Sequence, residues 1–348
     1  MADMEFDVFV QGTVFSDLVL TGLPALPTRG TEVHAEGMGT SPGGIANLAI
    51  AASRLGLHTS LSAAFGDDVY GEFLWRTLSE QEGVDLSRSR RFAHWHSPVT
   101  VSLAVQRDRS MVTHSHPSPA TADEMIGDPP RARVGLAHLG EATEPWAVKA
   151  RANGTQLFGD VGWDPSEEWS PGLLDNLQFF RAFMPNSTEA MAYTRTEDPR
   201  AALMQLADDV PVVVVTCGGQ GSIAIDSITG EDEWVPSLPV NAVDATGAGD
   251  VFAAAFILGT LREWPLRHRL AFANLCAALS VQQVGGSLAA PGWGDLADWL
   301  ATTQQRARTS RASAVLAHSY EFLADVLPEG PVRAVRRASA TIARTSDA

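Results

Sequence analysis

"NAVDATGAGDVFAAAF", residues 241–256, decides how the rest of the chain is read. Gly247, Ala248 and Gly249 stand directly ahead of Asp250 and an apolar run. Glycine is a poor helix former and loses more backbone entropy on folding than other residues. Two of them at a helix mouth therefore need a reason. One reading is an ordinary helix start, with Asp250 favoured by the positive end of the helix dipole. The other is an anion site. The first N–H groups of a helix have no partner within it, and small residues let a phosphate come close to them. An acid in that first turn can take a proton from a hydroxyl that attacks phosphorus.

Outward from this stretch the chain alternates. "FDVFV" (6–10) reads as a strand, "ANLAIAASRLG" (46–56) as a helix stopped by glycine, and "TSLSAAFG" (59–66) as a strand and turn. "GEFLWRTLSEQEG" (71–83) has helical amphipathic spacing. Strands follow near 134–140, 155–162, 179–186 and 211–219. The last, "PVVVVTCGG", is a continuous β-branched run suited to burial on both faces. Helices are expected near 248–260, 266–283 and 293–303. This alternation predicts an α/β fold, a doubly wound, mostly parallel sheet flanked by helices. Residues 13–41 and 91–116 break the pattern. They alternate polar and apolar residues among Gly, Pro and Ser, and read as antiparallel strands forming a small β lid. The expected division is a 1–303 domain and a 304–348 extension, whose "ASAVLAHSYEFLADVL" (312–327) suits one helix before a loose tail.

Composition narrows the function. The chain has 348 residues and a net charge of −16, which argues against a general nucleic-acid binder. The extension departs from this balance, with seven arginines against four acids. Lys149 is the only lysine, and no motif surrounds it. Two cysteines, Cys217 and Cys276, suit a reduced compartment better than a disulfide scaffold. No apolar run reaches the ~18 residues of a membrane span, and the start carries no basic-then-apolar leader pattern. A cytoplasmic protein with no membrane partner is expected.

Three further stretches can carry chemistry. In "SPGGIANLAIAASRLG" (41–56), Gly43 and Gly44 allow close backbone approach, and Asn47 offers donor and acceptor to polyol hydroxyls. A glycine turn before a helix explains the same letters. In "PNSTEA" (185–190), Asn186 and Glu189 form a plain capping box, or lie near magnesium and phosphate through water. "TCGGQGS" (216–222) follows the buried strand. Ligands in such sheets sit beyond the carboxyl ends of strands, so Thr216, Gly218 and Gly221 are nucleotide candidates; an ordinary tight turn is the alternative.

In their order and spacing these stretches resemble the ribokinase-like (PfkB) family of carbohydrate kinases over about residues 5–303. The resemblance rests on Gly43-Gly44…Asn47 with Gly56 and Gly66 beyond, on "DATGAGD", on Asn186-x-x-Glu189 and on the Thr216-x-Gly218-x-x-Gly221 turn. It implies ATP-dependent phosphorylation of a hydroxymethyl group of a sugar or related polyol, with Mg²⁺. Asp250 would be the base and Gly247, Ala248 and Gly249 the anion hole. Asp17, Gly43, Gly44, Asn47 and Glu141 would contact the sugar. Thr216, Gly218, Gly221 and Asn274 would hold the nucleotide, with Asn186 and Glu189 beside its phosphates. Asp244, Thr246, Ser280 and Gly285 fall where many members hold a monovalent cation such as K⁺, although Ala289 stands where a serine is often found. A nucleoside kinase of the same family and a non-catalytic sugar- or nucleotide-sensing relative are the alternatives. The absence of a lysine near the glycine pair disfavours a phosphosugar. A homodimer through the lid is an open expectation. His94, His96, His114 and His116 form two His-x-His pairs, read as lid surface, substrate contact or zinc site.

Overall fold

Long apolar runs in this chain become strands covered on both faces, and the computed structural model shows which element covers each. It describes residues 4–105, 108–140, 143–162, 164, 166–328 and 343–344. In chain order the elements are β1 (Phe6–Gln11), β2 (Val14–Thr21), β3 (Gly37–Gly44), α1 (Ala46–Arg54), β4 (Thr59–Ser62), β5 (Ala64–Gly66), α2 (Val69–Arg76), β6 (Arg90–Phe92), β7 (Val99–Val105) and β8 (Asp108–His114). There follow α3 (Ala122–Ile126), β9 (Ala132–His138), α4 (Pro145–Ala152), β10 (Gln156–Asp160), β11 (Ala182–Phe183), α5 (Ser187–Thr194), α6 (Pro199–Leu206), β12 (Val212–Thr216), β13 (Ser222–Asp226) and β14 (Glu231–Val235). The chain closes with α7 (Ala248–Leu261), α8 (Leu266–Ser280), α9 (Trp293–Ala307), α10 (Arg311–Ser319), α11 (Leu323–Val326) and β15 (Ala343–Arg344).

The main sheet has eight strands in the order β14-β13-β12-β11-β10-β9-β1-β4. Six run parallel, from β4 through β1, β9, β10 and β11 to β12. β13 and β14 complete the edge antiparallel. Strand order reverses at β1, flanked by β4 and β9, which opens a crevice at the carboxyl ends there. Val212 to Val215 of β12 are fully buried, as their β-branched run requires. Two apolar cores lie on the two faces. One gathers α1, α7, α8 and α9; the other gathers α4, α5 and α6. Every residue of α7 from Val251 to Gly259 is buried, so this helix has no polar face and runs through the middle of its layer.

A second sheet, β15-β3-β2-β7-β8, forms the lid. Here the structure corrects the expected strand directions. β2 with β3 and β7 with β8 are antiparallel, but β2 and β7 pair in parallel. The chain leaves the lid after β3, builds α1, β4 and α2, and re-enters in the direction of β2. Residues 90–92 belong to a separate pair with β5 rather than to the lid. Pro42, which cannot donate a ladder hydrogen bond, sits on β3 beyond the short stretch that β15 covers.

The extension differs from the single expected helix. α9 continues past residue 303, and residues 311–326 form two short helices, α10 and α11. Tyr320, Phe322 and Leu323 join the main core, and the Tyr320 hydroxyl donates to the Ala271 carbonyl. Among the described residues, no helix is long and apolar enough to cross a membrane.

Candidate active site

The mouth of α7 needs a backbone that most residues avoid. Gly247 has φ +73°, and a side chain there would bring its first carbon 2.9 Å from Asn47 Cγ. The glycine therefore serves both the turn and the close approach of α1. Across that contact Asn47 Nδ2 donates to Asp250 Oδ2 at 3.1 Å, joining residues 203 apart. The same bond fixes the amide orientation, so Asn47 Oδ1 faces away from Asp250. Asp250 is the acid of the first turn of α7. Burial pushes its carboxyl up to about 6, against the opposing pull of the Asn47 hydrogen bond.

Asp17 is held by a second close approach. A side chain at Gly43 would bring its first carbon 2.0 Å from Asp17 Oδ2, so the carboxylate occupies the space above the glycine. Asp17 is buried and lies on the lid face that also carries Ser41 and Thr100. Gly43, Gly44 and Asn47 thus sit where lid meets core, at the carboxyl end of β3 and the first turn of α1. Glu141, the remaining sugar candidate, lies outside the described residues.

On the other side of Gly249, a cavity of about 620 Å³ is lined by Asn186, Thr216, Gly218, Gly221, Gly249 and Asn274, among others. Its wall near α8 is apolar, from Leu238, Val240, Ala277 and Val281. Asn274 Nδ2 donates to the Val235 carbonyl at 3.1 Å, which ties this wall to β14. The Asn186 and Thr216 turns are neighbours, because Thr216 N donates to the Pro185 carbonyl at 3.1 Å. Asn186 and Glu189 form the capping box of α5 in both directions, so that plain reading of the motif holds. They also face the cavity system, so capping and ligand binding do not exclude each other.

A smaller cavity, about 160 Å³, joins Asp160, Glu189 and Asp250 beneath Gly249. Sequence reasoning missed Asp160. Its signal was available, since it ends β10 at the carboxyl edge of a parallel strand. Burial raises the Asp160 carboxyl well above the usual carboxylate range, and the nearby Asp250 and Glu189 charges add to it. Glu189 is also raised by burial, opposed by its hydrogen bonds with Asn186. Among the described residues, no group of three acid, histidine or cysteine side chains is arranged to hold a metal by itself. A hydrated Mg²⁺ that brings phosphate oxygens as ligands suits these acids better than an all-protein cage.

Asp244 gathers its neighbours. Its Oδ1 accepts from Thr246 N at 2.9 Å and from Thr246 Oγ1 at 2.6 Å, and its Oδ2 accepts from Gly285 N at 3.4 Å. Ser280 Oγ donates to the Ala277 carbonyl instead, at 2.8 Å. The histidine pairs come together in part. The His114 and His116 ring centres are 4.9 Å apart, those of His96 and His116 are 5.9 Å apart, and His96 Nδ1 is 3.6 Å from Asp68 Oδ2. These rings are exposed.

The comparisons with known proteins agree with this fold. The model of the "pfkB family carbohydrate kinase" matches residues 8–292. The chain is similar to a ribokinase of Schizosaccharomyces pombe, 25% identical over 82% of this chain and 95% of the relative. It is similar to a fructokinase of Escherichia coli, 28% identical over 72% of this chain and 89% of the relative. A solved structure of Arabidopsis thaliana ribokinase with ribose and ATP superposes with a TM-score of 0.68, at 24% identity, over 83% of this chain and 96% of that one. The family model matched across residues 8–292, on a fold of the same kind as the solved ribokinase, leads to one assignment: this chain belongs to the pfkB family of carbohydrate kinases.

Proposed function

We propose that the protein transfers the γ-phosphoryl group of ATP to a hydroxymethyl group of an unphosphorylated sugar or related polyol. The observation that carries this is Asp250, a partly buried carboxyl near pKa 6 on the smaller cavity at the mouth of α7, held by Asn47. In this reading the base and ribose of ATP fill the cavity between Thr216 and Asn274, and the phosphates point toward the N–H groups of Gly247, Ala248 and Gly249. Asp160 and Glu189 would lie beside a Mg²⁺ ion carried by the nucleotide, which when bound would supply neutralisation of the phosphate charge. The sugar lies under the lid against Asp17, Gly43, Gly44 and Asn47. Asp250 orients the hydroxymethyl oxygen, accepts its proton as the oxygen reaches phosphorus, and is ionised for that role above about pH 6. Lid closure excludes water and so limits ATP hydrolysis.

ADP release with ribose, fructose, 2-keto-3-deoxygluconate and adenosine, each with wild type and Asp250→Asn, tests this. A sugar is expected to turn over, and the variant is expected to lose about 10²–10⁴-fold in kcat with nucleotide still bound. Turnover on adenosine alone, or a near-normal kcat in the variant, contradicts the proposal.

We further propose a homodimer through the lid. Its outer face carries Leu18, Leu20, Val101 and Leu103 half-exposed, with Met38 at 42% and Val112 at 67% exposure. Sedimentation of wild type and Val112→Asp tests it: a dimer is expected for the first and a monomer for the second.

A further inference from the structure

A second site lies at the other end of α7 from Asp250. The helix has 14 residues, so its ends stand about 20 Å apart. A cavity of about 430 Å³ there is lined by Arg181, Asp226, Glu231, Glu263, Trp264 and Arg269, among others. Arg181 leads into β11, Asp226 ends β13 beside the start of β12, and Glu231 begins β14. This cavity is therefore at the amino ends of the parallel strands, whereas Asp160 and Thr216 end theirs at the carboxyl side. Its volume has room for a small molecule.

Most of the charge around this cavity is matched within the protein. Arg269 Nη1 lies 3.0 Å from Asp226 Oδ2, its Nη2 lies 3.7 Å from Glu231 Oε2, and its Nε donates to the Trp264 carbonyl at 2.8 Å. Asp226 and Glu231 also accept from the backbone N–H groups of Ile228 and Leu266, at 3.1 and 3.0 Å. Two charges are left over. The Arg181 guanidinium feels the charges of Asp226 and Arg269, but among the described residues it forms neither a hydrogen bond nor an ion pair. Glu263 likewise forms no ion pair among the described residues. It also holds a strained backbone. Glu263 N donates to the Thr260 carbonyl and Trp264 N to the Gly259 carbonyl, at 3.0 and 2.9 Å, the pair of bonds that closes a helix on a left-handed residue. Glycine is the usual residue there, yet Glu263 takes φ +56°. The chain thus keeps an acid where glycine would fold more easily, and that acid borders the cavity.

We infer that this cavity binds a free α-amino acid, its carboxylate on Arg181 and its ammonium on Glu263. The charges of the lining decide against simpler ligands. Arg181 and Arg269 stand against Asp226, Glu231 and Glu263, so a bare anion meets an excess of acid, and a bare cation leaves Arg181 unmatched. A zwitterion satisfies both leftover groups and adds no net charge. Arg181 Nη1 is enclosed, so the carboxylate takes the Nε and Nη2 edge, which presents two parallel N–H donors. The inference is independent of the sugar-kinase reading, because neither residue touches the cavities around Asp250.

Titration calorimetry on the full chain with each of the common free amino acids tests it. The one that binds best is then compared with its N-acetyl derivative, which removes the ammonium, and with its amide, which removes the carboxylate. Both derivatives should bind at least tenfold more weakly. Arg181→Met and Glu263→Gln should each weaken the free amino acid tenfold or more, with turnover within a few-fold of wild type. Glu263→Gly should also lose binding, yet melt at or above wild type without ligand, since glycine takes a positive φ without strain. Binding of no amino acid, equal binding of either derivative, or unchanged affinity in both charge variants overturns the assignment. So does a Glu263→Gly protein that melts well below wild type, which would make Glu263 a structural residue.

Discussion

Two groups of charged side chains lie wholly or partly buried around this site, and they are treated in opposite ways. Behind α1, Arg54 and Glu82 form a two-bond ion pair, Nε to Oε2 and Nη2 to Oε1, both at 2.8 Å. Arg54 Nη1 also donates to the carbonyls of Leu288 and Ala290, at 2.9 and 2.7 Å. Beneath Gly249, Asp160, Glu189 and Asp250 meet at a cavity, and among the described residues no arginine or lysine forms an ion pair with any of them. Their donors are neutral: the Val161 N–H, the Asn186 N–H and the Asn47 amide. The first group is a closed account of charge that fixes the loop after α8 against α1. The second is open, and burial raises all three carboxyls. Charge buried with its partner holds structure; charge buried without one waits for a ligand or a proton.

Breaking one half of the paired group should have the largest effect on stability. Arg54→Met leaves Glu82 buried and unpaired, and should cost about 3–5 kcal/mol in denaturant unfolding. A loss under 1 kcal/mol would show that the pair is not what secures the loop.

The unpaired group should respond in the reverse sense. Asp160→Asn removes a partly buried carboxyl whose folded-state pKa lies above its unfolded value. Such a group binds more protons in the folded state, so stability falls as pH rises from about 4 through its raised pKa. The variant should therefore be as stable as wild type near pH 4 and more stable at pH 8. Its Mg²⁺ requirement should rise by about tenfold or more, as for groups that orient a bound metal. Lower stability at pH 8 with an unchanged Mg²⁺ requirement would place Asp160 with the structural charges instead.

The contrast also explains what the sequence disclosed. The turn at Gly247 and the box of Asn186 and Glu189 are local, with cause and effect within a few residues, and so they were legible. The α/β order was legible because Val212–Val215 and Val251–Gly259 are apolar without interruption. Arg54 and Glu82 are 28 residues apart, and Ser41 gains its place only through pairing with Asp17 across a loop. Asp160 becomes special only when β10, α5 and α7, from three parts of the chain, bring two other acids beside it. The parallel pairing of β2 with β7 was illegible for the same reason, since strand pattern alone carries no direction.

Smaller effects test the margins of the site. Replacing K⁺ with choline at constant ionic strength should lower turnover several-fold, if Asp244, Thr246 and Gly285 sit beside a monovalent cation. Equal rates would leave Asp244 a purely structural clasp. Removing residues 329–348, which takes β15 from the edge of the lid beside Gly37 and Met38, should leave turnover within a few-fold, because among the described residues the apolar contacts of the extension with the core run to Leu327. Loss of activity in that folded truncation would assign the arginine-rich end a part in the site.

The most direct measurement of the open group is the pH dependence of kcat/KM for the sugar at saturating ATP and Mg²⁺. With Asp250 as the base, kcat/KM should fall about tenfold per unit below an apparent pKa near 6 and level off above it. The residual activity of Asp250→Asn should lack that step. A wild-type profile flat from pH 5 to 8, or an identical step in Asp250→Asn, would contradict Asp250 as the group that takes the proton.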